Sequence, residues 1–228
     1  MFGQHLTGAG AVVAGGSRRL AKALVQAILP PSLVVWRGPA SLRRVALTFD
    51  DGPTQLTRAY LDVLDRVGAR ATFFVIGKLC ERHPDVVADV AERGHELCGH
   101  GYTHRTFPRL HRVGLLRDEL RRTASLLPPS RRDRPMVRPP HGAVSLMSLA
   151  TCARAGFTTV FWSLDSGDSR TDRSADVVSA VVGRRLEPGA IVLFHEGQRW
   201  TLDALPTVVE RLKEAGHDLV TVGDLLGP

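Results

Sequence analysis

The sequence predicts an α/β fold with at least seven parallel strands. Five times along the chain, a helical pattern ends in a glycine and a strand-like apolar run follows within a residue or two; these glycines are Gly68, Gly94, Gly156, Gly189 and Gly216. A glycine at the end of a helix followed by a β-rich run is typical of repeated helix–strand units. Strands joined by helices pair in parallel, which indicates a (β/α) barrel or an open α/β sheet.

The individual elements follow from the apolar periodicity. Four stretches have helical length and period, namely residues 56–67, 84–93, 113–127 and 205–216. Residues 128–135 (PPSRRDRP) are expected to form a loop. The strand-like runs are RVALTF (44–49), ATFFVIG (71–77), HELCG (95–99), MVRPP (136–140), FTTVFWSL (157–164), AIVLF (190–194) and DLVTV (218–222).

The positive charge is concentrated at the N-terminal end. The 228 residues carry a formal net charge of +7. Residues 1–46 contain six arginines and lysines and no acidic residue, so the rest of the chain carries only +1. We therefore predict two parts, a basic N-terminal segment over residues 1–43 and one main domain over residues 44–228.

An amphipathic helix is predicted within that basic segment. Residues 17–29 begin with a suitable N-cap and place basic side chains on one face and aliphatic ones on the other. We expect the apolar face to pack on the main domain, with a peripheral membrane contact through residues 17–29 as the alternative. No basic stretch precedes the apolar residues 6–16, and no apolar run reaches the roughly 20 residues of a spanning helix, so neither a signal peptide nor a transmembrane helix is predicted.

Two further classes of function are disfavoured. Arginines also cluster between Arg105 and Arg134, but acidic residues interrupt them and no aromatic residues interleave to stack on bases, so we predict a solvated helix face and no nucleic-acid partner. The cysteines Cys80, Cys98 and Cys152 are odd in number and lack close spacing, which predicts buried thiols rather than disulfides or a zinc knuckle.

Reactive side chains stand where the predicted strands end. The carboxyl ends of parallel strands meet at one mouth of a barrel or one edge of a sheet, where catalytic groups gather. We therefore expect these side chains to form one site. They are Asp50 and Asp51 after VALTF, His100 after HELCG, Arg138 in MVRPP, Asp165 at the end of VFWSLD and His195 at the end of IVLFH.

The segment that begins at His100 and the pair Asp50 and Asp51 suggest a metal site. His100 and His104 flank GYT, so a helical turn would point both imidazoles the same way. Two histidines and one carboxylate can hold a metal and leave positions open for water and substrate. The adjacent Asp50 and Asp51 are costly to bury unless a positive charge meets them, and one can bind the metal while the other takes a proton from water. The structural alternative is an aspartate in a helix cap or a turn with Gly52.

Five motifs occur together in one order: TFDDGP (48–53), HGYTH (100–104), RPPHG (138–142), DSGD (165–168) and IVLFH (191–195). In this order, over about residues 44–226, the chain resembles the polysaccharide deacetylase family (NodB homology domain, carbohydrate esterase family 4). The resemblance implies a distorted (β/α) barrel with seven to eight parallel strands. It also implies a divalent metal, zinc first with cobalt or nickel as alternatives, and a catalytic domain over residues 44–228 that deacetylates amino sugars.

The resemblance also assigns roles to residues of this chain. Asp51, His100 and His104 would bind the metal. Asp50 would be the general base, and His195 the general acid that protonates the leaving amine. Amide hydrolysis needs these functions, because an amide is a poor electrophile with a poor leaving group.

Further roles implied by the resemblance concern the surroundings of the base, the acid and the substrate. Arg138, with Arg70 as the alternative, would pair with the base. Asp168, with Asp165 as the alternative, would orient the acid histidine and raise its pKa. The residues expected to contact substrate are Pro139, Pro140, His141 and Trp200.

The chain departs from the family pattern at four positions. Gly101 replaces the usual serine or threonine, His141 an aromatic residue, Ser169 a tryptophan, and Glu196 an aspartate. The lost aromatic side chains would contact sugar faces, so a polymer, a lipid-linked sugar and a smaller amide all stay open as substrates. Trp200 is expected to offer a replacement platform.

The leading hypothesis is a metal-dependent hydrolase that removes N-acetyl or other N-acyl groups from amino sugars of a polysaccharide, peptidoglycan or glycolipid. One alternative keeps the metal site but acts on a non-sugar amide or cyclic imide. The other is a catalytically silent member that binds glycans. We expect the protein at a bacterial cell envelope or membrane surface, with the cytoplasm as the alternative.

Overall fold

The computed structural model describes residue 30, residues 32–183 and residues 186–227. In this part of the chain nine strands form one parallel sheet in the order β1-β6-β5-β4-β3-β2-β8-β7, and β9 pairs with the start of β2. The strands are β1 (Val34–Val35), β2 (Arg44–Gly52), β3 (Thr72–Val75), β4 (Glu96–Gly99), β5 (Met136–Val137), β6 (Thr158–Val160), β7 (Leu164–Asp165), β8 (Ala190–His195) and β9 (Asp218–Val220).

Helices connect most successive strands, as the helix–strand pattern predicts. Three of the four predicted helical stretches have bounds within a few residues of described helices, but the last long helix begins at Arg199 rather than residue 205. The helices are α1 (Thr57–Arg66), α2 (Gly77–Arg82), α3 (Pro84–Glu92), α4 (Phe107–Arg112), α5 (Leu116–Ala124), α6 (Leu146–Arg154), α7 (Ser174–Val182), α8 (Arg199–Glu214) and α9 (Val222–Leu226).

β6 and β7 show that the sheet is curled. β6 pairs with β1 and β5, whereas β7 pairs with β8 on the far side of the sheet. Only residues 161–163 join the two strands, so these sides of the sheet come within roughly 14 Å of each other. The predicted distorted (β/α) barrel is confirmed. The strands exceed the predicted seven to eight because the run 157–164 forms two strands and β1 adds another.

Side chains of β2 alternate between two environments. Phe49 packs against Phe73 and Phe194 of the neighbouring strands and against Tyr60 of α1, with ring centroids 5.2 to 5.4 Å apart. All four rings are fully buried. Because successive residues of a strand point to opposite faces, Asp50 points into the barrel. This aromatic layer therefore fixes the strand that carries the aspartate pair.

The N-terminal predictions are only partly covered by the described residues. The amphipathic helix predicted over residues 17–29 lies outside them. β1 pairs with β6, so the sheet includes residues that precede the predicted boundary between 43 and 44, which stays a prediction. Among the described helices, none combines the length and apolarity that a membrane crossing needs. Cys80, Cys98 and Cys152 are buried and free of disulfides.

Candidate active site

The carboxyl ends of the strands bring the reactive side chains to one mouth of the barrel. Asp50 on β2 and His195 on β8 are paired in register. Register partners on adjacent strands, about 4.8 Å apart, point to the same side of a sheet. Both side chains therefore face the barrel mouth. His100 and Arg138 follow the ends of β4 and β5 at the same side.

Arg138 is a fully buried charge that is matched by Asp50. Its Nη1 donates to Oδ1 of Asp50 at 2.7 Å and to the hydroxyl of Thr48 at 2.8 Å. Its Nη2 donates to the carbonyl oxygen of Phe161 at 3.1 Å, and the guanidinium stacks on Phe74 at 3.9 Å from the ring centroid. A buried ion pair is tolerated only when both charges are compensated and hydrogen-bonded, as they are here.

Asp51, His100 and His104 form the group of described side chains that could hold a metal ion. One ligand atom from each lies within 4.8 Å of the others. Nε2 of His104 lies 2.9 Å and Nε2 of His100 lies 3.4 Å from Oδ1 of Asp51. The structure thus brings together the three residues that the sequence analysis expects to bind metal.

Two features of this trio fit a metal ion. Nδ1 of His100 lies 2.8 Å from the carbonyl oxygen of Arg138, and since a carbonyl only accepts, Nδ1 carries the proton and Nε2 presents its lone pair to the site. Oδ1 of Asp51 is buried without a well-directed hydrogen bond. Burial by itself raises the pKa of Asp51, but positive charge on His100 and His104 outweighs it when these imidazoles are protonated, and holds that pKa well below its usual range. A cation bound to the neutral imidazoles would supply the same positive charge. An ionised carboxylate facing imidazole lone pairs is a donor set for a divalent cation.

His195 is held by a buried carboxylate. Its Nδ1 lies 2.8 Å from Oδ1 of Asp168, and its backbone N–H donates to Oδ2 at 2.7 Å. Thr201 also donates to Oδ2, at 2.9 Å. Because Nδ1 is engaged, Nε2 is the ring nitrogen left for substrate. Burial lowers the pKa of His195, but the hydrogen bond and charge of Asp168 outweigh it and raise the pKa above its ordinary value.

Arg70 and Asp165, the alternative partners considered for the base and the acid histidine, form ion pairs with other residues. Arg70 precedes β3, at the end of the sheet away from the mouth, and pairs with Asp224 at 3.7 Å. Asp165 pairs with Arg170 at 3.1 Å. The geometry therefore favours Arg138 as the partner of Asp50, and Asp168 as the partner of the acid histidine.

Glu119 of α5 supports the loop that carries both histidines, and the sequence analysis missed it. Its Oε2 accepts from the backbone N–H groups of Tyr102 at 3.1 Å and Thr103 at 3.0 Å, and its Oε1 accepts from the Thr103 hydroxyl at 2.5 Å. The expected helical turn is wrong: His104 has φ +58° in an irregular loop. A signal for Glu119 was available, because its spacing from Leu116 places a charged residue on the apolar face of the helix, where it needs a partner.

Glu119→Gln is expected to weaken zinc binding on the order of tenfold or more, since residues that orient metal ligands typically contribute that much. Glutamine keeps the size but replaces an acceptor oxygen by a donor. Competition titration with a chromogenic chelator measures the affinity. Asp118→Asn, the same change at the exposed neighbour on α5, is the control. Equal affinities for the two variants would show that Glu119 does not position the loop.

The residues expected to contact substrate have different surroundings. The two prolines before His141 are buried, whereas His141 is exposed, with its ring edge-to-face against His104 at a centroid distance of 4.9 Å. Trp200 is half-buried, and its indole N–H donates to the carbonyl oxygen of Asp168 at 2.7 Å. His141 therefore borders the metal trio. The contact of Trp200 in this structure is structural, and its sugar contact stays a prediction.

A cavity of about 940 Å³ lies away from these residues, between β4, β5 and α9. Its lining includes Arg44, Arg70 and Arg132. It contains none of the side chains expected to bind metal or to move protons. The reactive groups, rather than this cavity, locate the candidate active site.

Comparison with known proteins identifies the family. Residues 37–160 match the family model described as polysaccharide deacetylase. The chain belongs to the polysaccharide deacetylase family. This family generally depends on a divalent metal, and Asp51, His100 and His104 are the candidate ligands in this member.

Relatives and solved structures agree with this membership. The chain is 31% identical over 211 residues to the peptidoglycan-N-acetylglucosamine deacetylase PgdA of Listeria monocytogenes, over 91% of this chain but only 44% of that protein. It is 32% identical to a peptidoglycan-N-acetylglucosamine deacetylase of Bacillus cereus, over 86% of this chain and 94% of that one. The solved Bc1960 peptidoglycan N-acetylglucosamine deacetylase superposes with a TM-score of 0.79 at 28% identity, over 86% and 93% of the two chains. The chain thus spans less than half of the Listeria relative.

Proposed function

We propose that this polysaccharide deacetylase family member is a metal-dependent N-deacetylase of amino sugars, with N-acetylglucosamine in peptidoglycan as its substrate class and the cell envelope as its place of action. One observation carries the proposal: the Asp51–His100–His104 trio shares the barrel mouth with Asp50 and His195. The relatives named for peptidoglycan deacetylation support the substrate class.

The proposed metal is zinc, because two imidazoles and one carboxylate with open positions are typical of catalytic zinc sites. When bound, such an ion polarises the amide carbonyl and makes water more acidic. Asp51, His100 and His104 would hold it.

The protons are moved by Asp50 and His195. Asp50, held in place by its hydrogen bond from Arg138, takes a proton from the attacking water, whose oxygen bonds to the acetyl carbon. The C–N bond then breaks, and Nε2 of His195 delivers its proton to the departing amine nitrogen. The products are acetate and a free amino sugar. Asp168 keeps His195 in the required tautomer and protonation state.

Replacing Asp168 by asparagine is expected to change the pH profile. The raised pKa of His195 keeps its proton above pH 6.5, so activity falls as pH rises through that pKa. Without the carboxylate charge, this fall should move to lower pH, and kcat should drop on the order of 100-fold or more. Rates of acetate release across pH measure both effects. Thr201→Val, which removes one hydrogen bond to Asp168, should leave the profile nearly unchanged, and an unshifted profile in the asparagine variant would contradict this role.

The proposed function is tested by incubating the zinc-loaded chain with peptidoglycan glycans, chito-oligosaccharides, N-acetylated glycolipids and small cyclic imides. Mass spectrometry should detect loss of an acetyl group from the peptidoglycan glycans first. Turnover of imides alone would show that the substrate is not a sugar. Glycan binding without any acetate release would identify a catalytically silent member.

A further inference from the structure

A face of the domain next to the active site carries uncompensated positive charge. We define the α4–α6 face as the exposed side chains of residues 105–117, 121, 146, 147 and 154. Over residues 105–127 and 143–156 the acidic residues are only Asp118 and Glu119, and Glu119 is buried. Within the described part of the chain, none of the arginines of this face forms a side-chain hydrogen bond or ion pair. They are Arg105, Arg109, Arg112, Arg117, Arg121 and Arg154.

Several arginines elsewhere on the domain are paired, whereas others in the described part of the chain, such as Arg66 and Arg199, are not. The α4–α6 face differs in that its unpaired arginines are grouped. Arg58 pairs with Asp85 and Asp89 at 2.7 and 2.6 Å. Arg93 pairs with two aspartates of α1 at 2.7 and 3.0 Å. Exposed pairs of this kind contribute little to stability, but they neutralise the surface. The α4–α6 face keeps its charge.

The same face exposes apolar side chains. Val113, Leu115, Leu146 and Met147 are 61%, 45%, 74% and 57% exposed, and they are four of the five large apolar residues exposed in the described structure. Isolated exposed apolar residues need no explanation, but a group of them indicates a binding surface.

A contact between α4 and α6 brings these apolar residues into one region. Nδ1 of His111 lies 3.0 Å from the hydroxyl of Thr151, which joins the end of α4 to α6. Val113 is two residues beyond His111, and Met147 is one helical turn before Thr151. The α4–α5 turn and the start of α6 therefore present apolar side chains with arginines around them.

We propose that the α4–α6 face docks on a lipid bilayer that contains anionic headgroups. Unpaired arginines supply attraction to the headgroups, and the exposed aliphatic side chains can insert at the level of the acyl boundary. A soluble polyanion would use the arginines but would gain nothing from the aliphatic residues. Single-stranded nucleic acid would need aromatic side chains for stacking, and none is exposed among these residues.

The α4–α6 face lies close to the candidate active site, so docking affects which substrates the site can reach. α4 begins three residues after His104, and α6 begins five residues after His141, whose ring contacts His104. Docking therefore holds the candidate active site beside the bilayer, where lipid-linked or membrane-proximal amino sugars are presented. This consequence rests on the proposed function, whereas the lipid contact itself does not.

The test is cosedimentation of the 228-residue chain with vesicles of phosphatidylglycerol and phosphatidylcholine, because it requires no turnover. We expect binding that increases with the anionic fraction and is absent on phosphatidylcholine alone. R109Q/R112Q/R117Q should bind at least roughly tenfold more weakly. V113S/M147S should also bind more weakly at unchanged net charge. R58Q/R173Q/R211Q, which removes the same charge from ion-paired arginines outside this face, should bind like the wild type.

Three results would overturn the proposal. Wild-type affinity in R109Q/R112Q/R117Q would exclude this face as the contact. Wild-type affinity in V113S/M147S would assign the face to polyanions in general rather than to a bilayer. Loss of binding only in R18Q/R19Q/K22Q would place the lipid contact in residues 17–29. Circular dichroism confirms that each variant is folded, and acetate release is measured separately, so failure of the docking is distinguishable from failure of the proposed function.

Discussion

Asp50→Asn is expected to lower kcat by about 10²- to 10⁴-fold, because asparagine cannot take the proton of the attacking water. The zinc content should stay at the wild-type value, since Asp50 is not among the three proposed ligands. Asparagine still offers Arg138 an oxygen in the place of Oδ1, so the barrel mouth should keep its shape. Acetate release and elemental analysis of the same sample separate the two effects.

The same substitution at the next residue, Asp51→Asn, distinguishes a metal ligand from a general base. Asp51→Asn should lower zinc content as well as activity, because it alters a proposed ligand. If Asp50→Asn also lost its zinc, Asp50 would be a ligand rather than a base. If it kept wild-type kcat, the base would have to be another group.

Arg138→Met is expected to lower the free energy of unfolding by about 3–5 kcal/mol, measured by urea denaturation. Methionine can fill part of the volume but leaves Asp50 as an uncompensated charge that is 3% exposed. The hydrogen bonds to Thr48 and Phe161 are lost at the same time. Activity should also fall, since the hydrogen bond from Arg138 that holds the carboxylate of Asp50 in place is lost.

A double variant isolates the ion pair from the packing. Asp50→Asn/Arg138→Met removes both charges and should be more stable than Arg138→Met alone, because no buried charge is left unpaired. A double variant whose loss equals the sum of the two single losses would show that the pair is not coupled. Wild-type stability in Arg138→Met would contradict the buried-pair interpretation.

Much of the site follows from simple rules about parallel strands. Asp50, His100 and His195 stand directly at strand ends, and the ends of parallel strands meet at one mouth. The choice between Arg138 and Arg70 needed the structure. Both arginines lie beside a strand, but Arg70 precedes its strand and Arg138 follows one, which places them at opposite ends of the sheet.

Other features depend on contacts that no local pattern contains. The i, i+4 spacing of His100 and His104 suggested a helical turn, yet a loop with His104 at positive φ brings them together. Hydrogen bonds from the backbone of this loop to the carboxylate of Glu119, fifteen residues beyond His104, hold it in place. Such long-range support overrides local periodicity.

The substrate contacts are harder to predict from the sequence, because this chain departs from the family pattern at the positions expected to contact sugar. His141 borders the metal trio where an aromatic residue was expected, and Ser169 is exposed in the turn that carries Asp168. Glu196 is buried, and burial raises its pKa to about 8. Its carboxyl accepts from the Thr57 hydroxyl and lies against Gly52, so it supports the aspartate turn rather than substrate.

We propose that amide hydrolysis by this chain requires a metal held at the barrel mouth. The most direct measurement is acetate release from peptidoglycan glycans by protein stripped with a chelator and then reloaded with a stoichiometric amount of zinc. We predict no release by the stripped protein and recovery of the original rate on reloading. Undiminished release by protein shown by elemental analysis to be free of metal would contradict this requirement.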